Sequence, residues 1–123
     1  MEATVLVVED NPDNMALVEE ILEDAGYAIL KAERAEDGIE LLNKGGIDIV
    51  LMDVSLPEMD GLEATRIIKA DAATCSVPVI GLSAHAMESD RRAALNAGCD
   101  EYETKPIDEG ALLETIKRVI KIS

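Results

Sequence analysis

Val5-Leu6-Val7-Val8-Glu9-Asp10-Asn11-Pro12-Asp13 decides the fold: four apolar residues, mostly β-branched, run straight into two acids and then into a helix start. A run so short and so uniformly apolar suits a parallel strand covered on both faces. Asn11 can cap the helix that follows, Pro12 suits its first position, and Asp13 adds an early acid. An acid pair therefore sits at the carboxyl end of a buried strand. The pattern recurs along the chain. Ile49–Met52 and Val79–Leu82 are equally apolar and read as central strands. Ala28–Lys31 and Glu101–Thr104 mix polar with apolar residues, as strands at the two edges of a sheet do.

Between these runs the apolar period becomes helical, with Met15, Val18, Leu22 and Ala25 on one face and Leu112, Ile116, Val119 and Ile120 on another. Gly26 stops the first helix, Asp60 and Glu63 have capping-box spacing, Gly98 ends the fourth helix and Asp108 can cap the fifth. The fourth helix, around Glu88–Ala97, relies mostly on Ala93, Ala94 and Ala97 and should pack least firmly. The alternation predicts an α/β fold: a doubly wound, five-stranded parallel sheet in the flavodoxin-like order 2-1-3-4-5. Its reversal falls between the first and third strands, where Asp10 and Asp53 lie.

The 123 residues are expected to form one domain, 1–123, with no linker and no internal repeat. With 48% hydrophobic and 30% charged residues the chain reads as globular. Its formal net charge of −15 repels phosphate backbones and anionic lipid, so neither nucleic acid nor membrane is an expected partner. No apolar stretch approaches the roughly 20 residues of a membrane span. The start, Met1-Glu2-Ala3-Thr4, lacks the features of a secretory signal, so a cytoplasmic location is expected. Cys75 and Cys99 have no metal-type spacing and read as small hydrophobes rather than a disulfide.

Glu9, Asp10, Asp53, Ser83 and Lys105 all fall where a strand stops and a turn begins. In an open parallel sheet those ends share one rim, which is where ligands bind. Three carboxylates in one crevice repel, so either a pKa rises or a metal binds. Oxygen ligands without His or Cys favour Mg2+, or Mn2+ in its place, over zinc. Each residue also has a plainer reading. Asp53 can cap its strand end, Lys105 can be a solvated surface lysine, Ser83 a turn hydroxyl, and Tyr102 a half-buried packing residue. His85 reads as a loop residue bordering the pocket. The Lys105-Pro106 bond is a site where a cis peptide can turn the chain.

Taken together, Val5-Leu6-Val7-Val8-Glu9-Asp10-Asn11, Leu51-Met52-Asp53-Val54-Ser55-Leu56-Pro57-Glu58-Met59-Asp60-Gly61, Val77-Pro78-Val79-Ile80-Gly81-Leu82-Ser83-Ala84 and Tyr102-Glu103-Thr104-Lys105-Pro106-Ile107 resemble the receiver domains of two-component response regulators. The resemblance covers the whole chain. It implies a CheY-like fold in which Asp53 accepts a phosphoryl group from a phosphohistidine of a histidine kinase or phosphotransfer protein. Asp10, Asp53 and the backbone carbonyl of Ser55 would hold Mg2+, with Glu9 helping through a water. Lys105 and Ser83 would bind phosphoryl oxygens, and Tyr102 would be the aromatic that turns inward once Ser83 moves. A downstream protein would bind the face formed by the fourth helix, fifth strand and fifth helix, and the unphosphorylated form would be monomeric. The chain stops after its fifth helix and so resembles single-domain regulators. Asn11, Asn14-Met15, Gly98-Cys99 and Lys105-Pro106-Ile107 further resemble the DivK type. Two departures stand out: Glu103 replaces a commonly apolar residue, and Ser83 stands where threonine is frequent.

Two other functions compete with this binding switch, which would have no independent metabolic activity. A phosphatase forming an aspartyl-phosphate, as in haloacid-dehalogenase-like proteins, would carry a second Asp two residues after the nucleophile, where this chain has Ser55. A module binding partners constitutively would usually lack the Asp or the Lys, and both are present.

Overall fold

A computed structural model of the protein describes residues 3–54, 61–84 and 87–122. Ser55, Asp60 and His85, singled out above, lie outside the described residues. Strands and helices alternate as β1 Thr4–Val8, α1 Pro12–Asp24, β2 Ala28–Ala32, α2 Ala35–Asn43, β3 Ile49–Asp53, α3 Gly61–Ala70, β4 Val79–Ser83, α4 Glu88–Ala97, β5 Glu101–Thr104 and α5 Glu109–Ile122. The strands form one parallel sheet in the order β2-β1-β3-β4-β5. The expected fold and strand order are those observed.

Strand alternation divides the core in two. Val5 and Val7 of β1, with Ile49, Leu51, Ile80 and Leu82, pack against α1 and α5 through Val18, Ile21, Leu22, Leu112, Ile116 and Val119. Leu6 and Val8, with Val50, Met52 and Val79, face α2, α3 and α4 through Ala35, Leu42, Ala64, Ile68 and Ala94. Each such Val, Leu or Ile, fully buried, is worth about 1.5–3 kcal/mol. This is why the three central strands are apolar throughout, whereas β2 and β5 keep half-buried or exposed residues at the edges.

The expected caps are largely in place. Asn11 Oδ1 accepts from the amides of Asp13 and Asn14 at 2.9 and 3.0 Å, with Pro12 opening α1. Asp108 Oδ1 accepts from the Ala111 amide at 3.0 Å. Gly26 and Gly98 adopt φ of 90° and 114°, a region costly for any residue with a Cβ, and there α1 and α4 stop.

Some packing differs from expectation. Ala25 is exposed at the end of α1, and Ile21 fills the buried position instead. Along α4, Ala94 and Ala97 are buried and Leu95 is half-buried, but Ala93 is exposed. Residues 94 and 97, one turn apart, define the stripe facing the sheet, and residue 93 is rotated off it. Both cysteines are free thiols, but only Cys99 is buried; Cys75 is exposed.

Candidate functional site

The end of β3 carries Asp53 at 3% exposure, and the residue after β1, Glu9, is 1% exposed. Isolated carboxylates at such burial would be costly. A cation meets both of them: Lys105 Nζ lies 2.7 Å from Glu9 Oε1 and 3.4 Å from Asp53 Oδ2. The other Glu9 oxygen accepts from the Asn11 amide at 3.2 Å. Asp10, beside Glu9, points into solvent and completes the group: carboxylate oxygens of Glu9, Asp10 and Asp53 all lie within 4.8 Å of one another.

Sheet topology makes this convergence possible. β1 and β3 are neighbours, with Val8 level with Met52, so Glu9, just past β1, and Asp53, the last residue of β3, emerge side by side at the switch point. Lys105 arrives from the far edge of the sheet, just past β5, and its amide donates to the Ser83 carbonyl at 2.7 Å. The Lys105–Pro106 peptide is cis. Ser83, 1% exposed, ends β4 level with Thr104. By strand alternation it lies on the α3–α4 face, whereas Asp53 belongs to the α1–α5 face. Tyr102 is half-buried against the core on the α3–α4 side, as Ser83 is. Glu103, on the opposite side of β5, is received by α5: Thr115 Oγ1 donates to Glu103 Oε2 at 2.8 Å.

The electrostatics follow from this crowding. Burial raises the Glu9 pKa above the ordinary carboxylate value, and the nearby Asp53 carboxyl adds to the rise. Hydrogen bonds from Lys105 and the Asn11 amide offset part of it. For Lys105, burial alone would lower the pKa. The hydrogen bond to Glu9 and the charges of Asp53 and Glu9 together outweigh it, and the ammonium is held above its usual range.

Three carboxylates facing one ammonium leave an excess of negative charge. All the donors are hard oxygens, and exposed Asp10 leaves room for an ion to keep part of its water. That set fits a small divalent cation such as Mg2+ better than it fits zinc. Beside the acids a groove of about 310 Å³ runs along α1, lined by Glu9, Asp10, Pro12, Met15, Glu19 and Lys31, and gives access from solvent.

Sequence reasoning missed two features. The direct Glu9–Lys105 pair joins residues 96 positions apart, where Glu9 was expected to act only through water. Gly61, the first residue of α3, lies so close to β3 that a Cβ there would collide with the Asp53 carbonyl oxygen and sit 2.5 Å from Val54 Cα. Its position directly after a motif rich in turn residues was the available signal.

Comparison with known proteins agrees with the geometry. The family model for the response regulator receiver domain matches residues 5–117. The sensor protein GacS of Pseudomonas syringae pv. syringae is 41% identical over 115 residues, 91% of this chain, but the match spans only 13% of GacS. PilH of Pseudomonas aeruginosa is 39% identical over 118 residues, 96% of this chain and 98% of PilH. The polar-differentiation response regulator DivK of Brucella ovis is 37% identical over 117 residues, 95% of each chain. Among solved structures, the receiver domain of a sensor histidine kinase from Pseudomonas aeruginosa, with magnesium coordinated in its active site cleft, superposes with a TM-score of 0.91. It is 34% identical, over 98% of this chain and 99% of that one. A chain in the Saccharomyces cerevisiae co-crystal of the histidine phosphotransfer protein Ypd1 with the receiver domain of Ssk1 gives a TM-score of 0.86 at 28% identity, over 94% and 87% of the two chains.

Proposed function

The chain belongs to the response regulator receiver domain family, and on that premise we propose that it is a phosphorylation-driven switch whose phosphoacceptor is Asp53. The observation that carries this reading is the buried Asp53 carboxylate at the switch-point rim, grouped with Glu9 and Asp10 and 3.4 Å from the Lys105 ammonium. A carboxylate so placed can act as a nucleophile. One Asp53 oxygen bonds to phosphorus as the bond between phosphorus and the donor's histidine nitrogen breaks, and that bond's electron pair returns to the imidazole. Lys105 and the Ser83 hydroxyl bind the phosphoryl oxygens. Asp10, Asp53 and the carbonyl of Ser55 would hold Mg2+, or Mn2+ in its place, with Glu9 acting through a water. When bound, the ion neutralises charge on the transferring phosphoryl group.

The donor is a phosphohistidine on a sensor kinase or phosphotransfer protein, a reading supported by the similarity to the Ssk1–Ypd1 complex. The output is a change in affinity for a downstream protein at the α4–β5–α5 face, reported by Tyr102. Among the described residues no helix is long and apolar enough to cross a membrane, and a cytoplasmic site of action fits this reading.

Incubation with a small phosphodonor and Mg2+ tests it. Native protein should take up acid-stable, base-labile phosphate, and Asp53→Asn should take up none while keeping its fold, because an amide is a very poor nucleophile. Comparable labelling of the variant at another carboxylate would reject the assignment. Asp10→Ala should bind Mg2+ much more weakly, since too few charged oxygens remain to compensate for dehydrating the ion. Titration at constant ionic strength measures that loss, and unchanged affinity would exclude Asp10 as a ligand.

A further inference from the structure

Val54, directly after the proposed phosphoacceptor, is confined by two glycines. Its amide donates to the Leu82 carbonyl at 3.0 Å, extending the β3–β4 ladder one residue past Asp53. Gly61 brings the start of α3 against its Cα. Its side chain lies over Gly81, in the middle of β4. A Cβ built on Gly81 would lie 3.3 Å from Val54 Cγ1, 3.2 Å from Cys99 Sγ and 3.4 Å from Tyr102 Cδ1. The missing side chain therefore lets three groups close in over one strand position. Cys99 is buried and fixed beside Thr65, its Sγ 3.8 Å from Thr65 Oγ1. Tyr102 is half-buried at the sheet edge. In close-packed interiors even one methylene is felt by its neighbours.

We propose that Val54 is a positioning residue that carries the state of Asp53 to the Tyr102 ring through the space above Gly81, in parallel with Ser83. The inference rests on Asp53 as phosphoacceptor. Because Val54 is covalently next to Asp53 and held at its backbone, a shift at Asp53 moves the Val54 methyls. That changes the room open to the ring. Gly81 is required because any side chain there occupies the space in which valine and tyrosine meet.

The chain has two tyrosines and no tryptophan, so Tyr27→Phe leaves Tyr102 as the only strong ultraviolet emitter. In that parent, Tyr102 emission and ring NMR shifts are compared with and without Mg2+ and beryllofluoride, which stands in for a phosphoryl group on Asp53, and labelling by a small phosphodonor is measured alongside. Val54→Ala, which enlarges the space, and Gly81→Ala, which fills it, should both keep labelling. Each should reduce the ligand-dependent shift of the Tyr102 equilibrium by about fivefold or more, the lower end of coupling between two sites. Val54→Thr, close to valine in shape, should restore most of it. A full Tyr102 response in Val54→Ala, at equal labelling and with a native amide spectrum, overturns the proposal; so does a full response in Gly81→Ala. Failure of the Tyr27→Phe parent itself to label overturns the phosphoacceptor reading and this inference with it.

Discussion

At the scale of single residues, Lys105 decides whether the acid cluster is tolerable without a metal. It donates to Glu9 and lies within reach of Asp53, and its raised pKa means that these partners favour its charged form. A raised folded-state lysine pKa contributes stability that is fully present below the unfolded value of about 10.4 and is lost as pH rises through the folded value. Glu9 is also raised, first by burial, so its protonated form is favoured in the fold. Its contribution is present below the ordinary carboxylate value and is lost as pH rises through the raised one. Lys105→Met removes a cause that lowers the Glu9 pKa, so that pKa should climb further. The variant should therefore lose stability more steeply than native protein between pH 5 and pH 8. Breaking a buried pair costs about 3–5 kcal/mol, and the 15% exposure of Lys105 places this one at the lower end, about 3 kcal/mol at pH 8. Urea midpoints at the two pH values measure it; parallel pH dependence in both proteins would show that the lysine does not compensate the buried acids. The convergence of these residues on one rim was legible in the sequence, but the direct Glu9–Lys105 pair was not. Strand-end position placed Glu9, Asp53 and Lys105 in one pocket, but which acid the lysine meets depends on the path of the chain after β5.

At the scale of elements, the strands were legible and the close approaches were not. Val5–Val8, Ile49–Met52 and Val79–Leu82 announce themselves because both faces of a central parallel strand must be apolar. Along α4, Ala94 and Ala97 face the core as expected but Ala93 does not; alanine is small enough to sit on either face, so Ala93 carried no directional information. Glu103 looked like a misfit, yet α5 supplies Thr115 as a hydrogen-bond donor. Glycines are hardest to read: Gly61 and Gly110 look alike in sequence but differ in surroundings. At Gly61 a methyl would meet the backbone of Asp53 and Val54, which can yield only if β3 and α3 separate. At Gly110, in the first turn of α5, the nearest atom is Asp108 Oδ1 at 3.6 Å, an ordinary contact. Gly61→Ala should destabilise by about 1–3 kcal/mol, as overpacking does. Gly110→Ala should be neutral or stabilise by up to about 1 kcal/mol, as alanine does in a helix. Denaturant midpoints of the two variants, with amide shifts of Asp53 and Val54, measure the contrast; equal effects would mean that the close approach of α3 to β3 is not a constraint.

At the scale of the whole molecule, the acid cluster lies at the β1–β3 rim while Tyr102 lies on the edge strand β5. No basic side chain precedes Lys31, so β1 and α1 present acids alone beside the site, in a chain of net charge −15. On the proposed function, a phosphoryl group would add about −1.5 to −2 charges to this already negative rim. Added charge alone does not shift a conformational equilibrium; only contacts that differ between the two states do. Ser83 and Lys105 are the proposed contacts, and they approach from β4 and from beyond β5, the side of the sheet that carries Tyr102. A hydrogen bond to a charged group is worth roughly 1.5–3 kcal/mol. Driving a two-state equilibrium from about 1:99 to 99:1 takes around 5.5 kcal/mol. Two such bonds about suffice and one does not. Ser83→Ala should therefore still label at Asp53 with Mg2+, because acceptor and acids are intact. It should nevertheless show a much smaller phosphorylation-dependent gain in partner affinity and little inward movement of Tyr102. Partner affinity measured with and without phosphodonor, in native and variant proteins matched for labelling, checks this; an undiminished gain in Ser83→Ala would remove the hydroxyl from the switch and leave Lys105 and the Val54 contact to account for it.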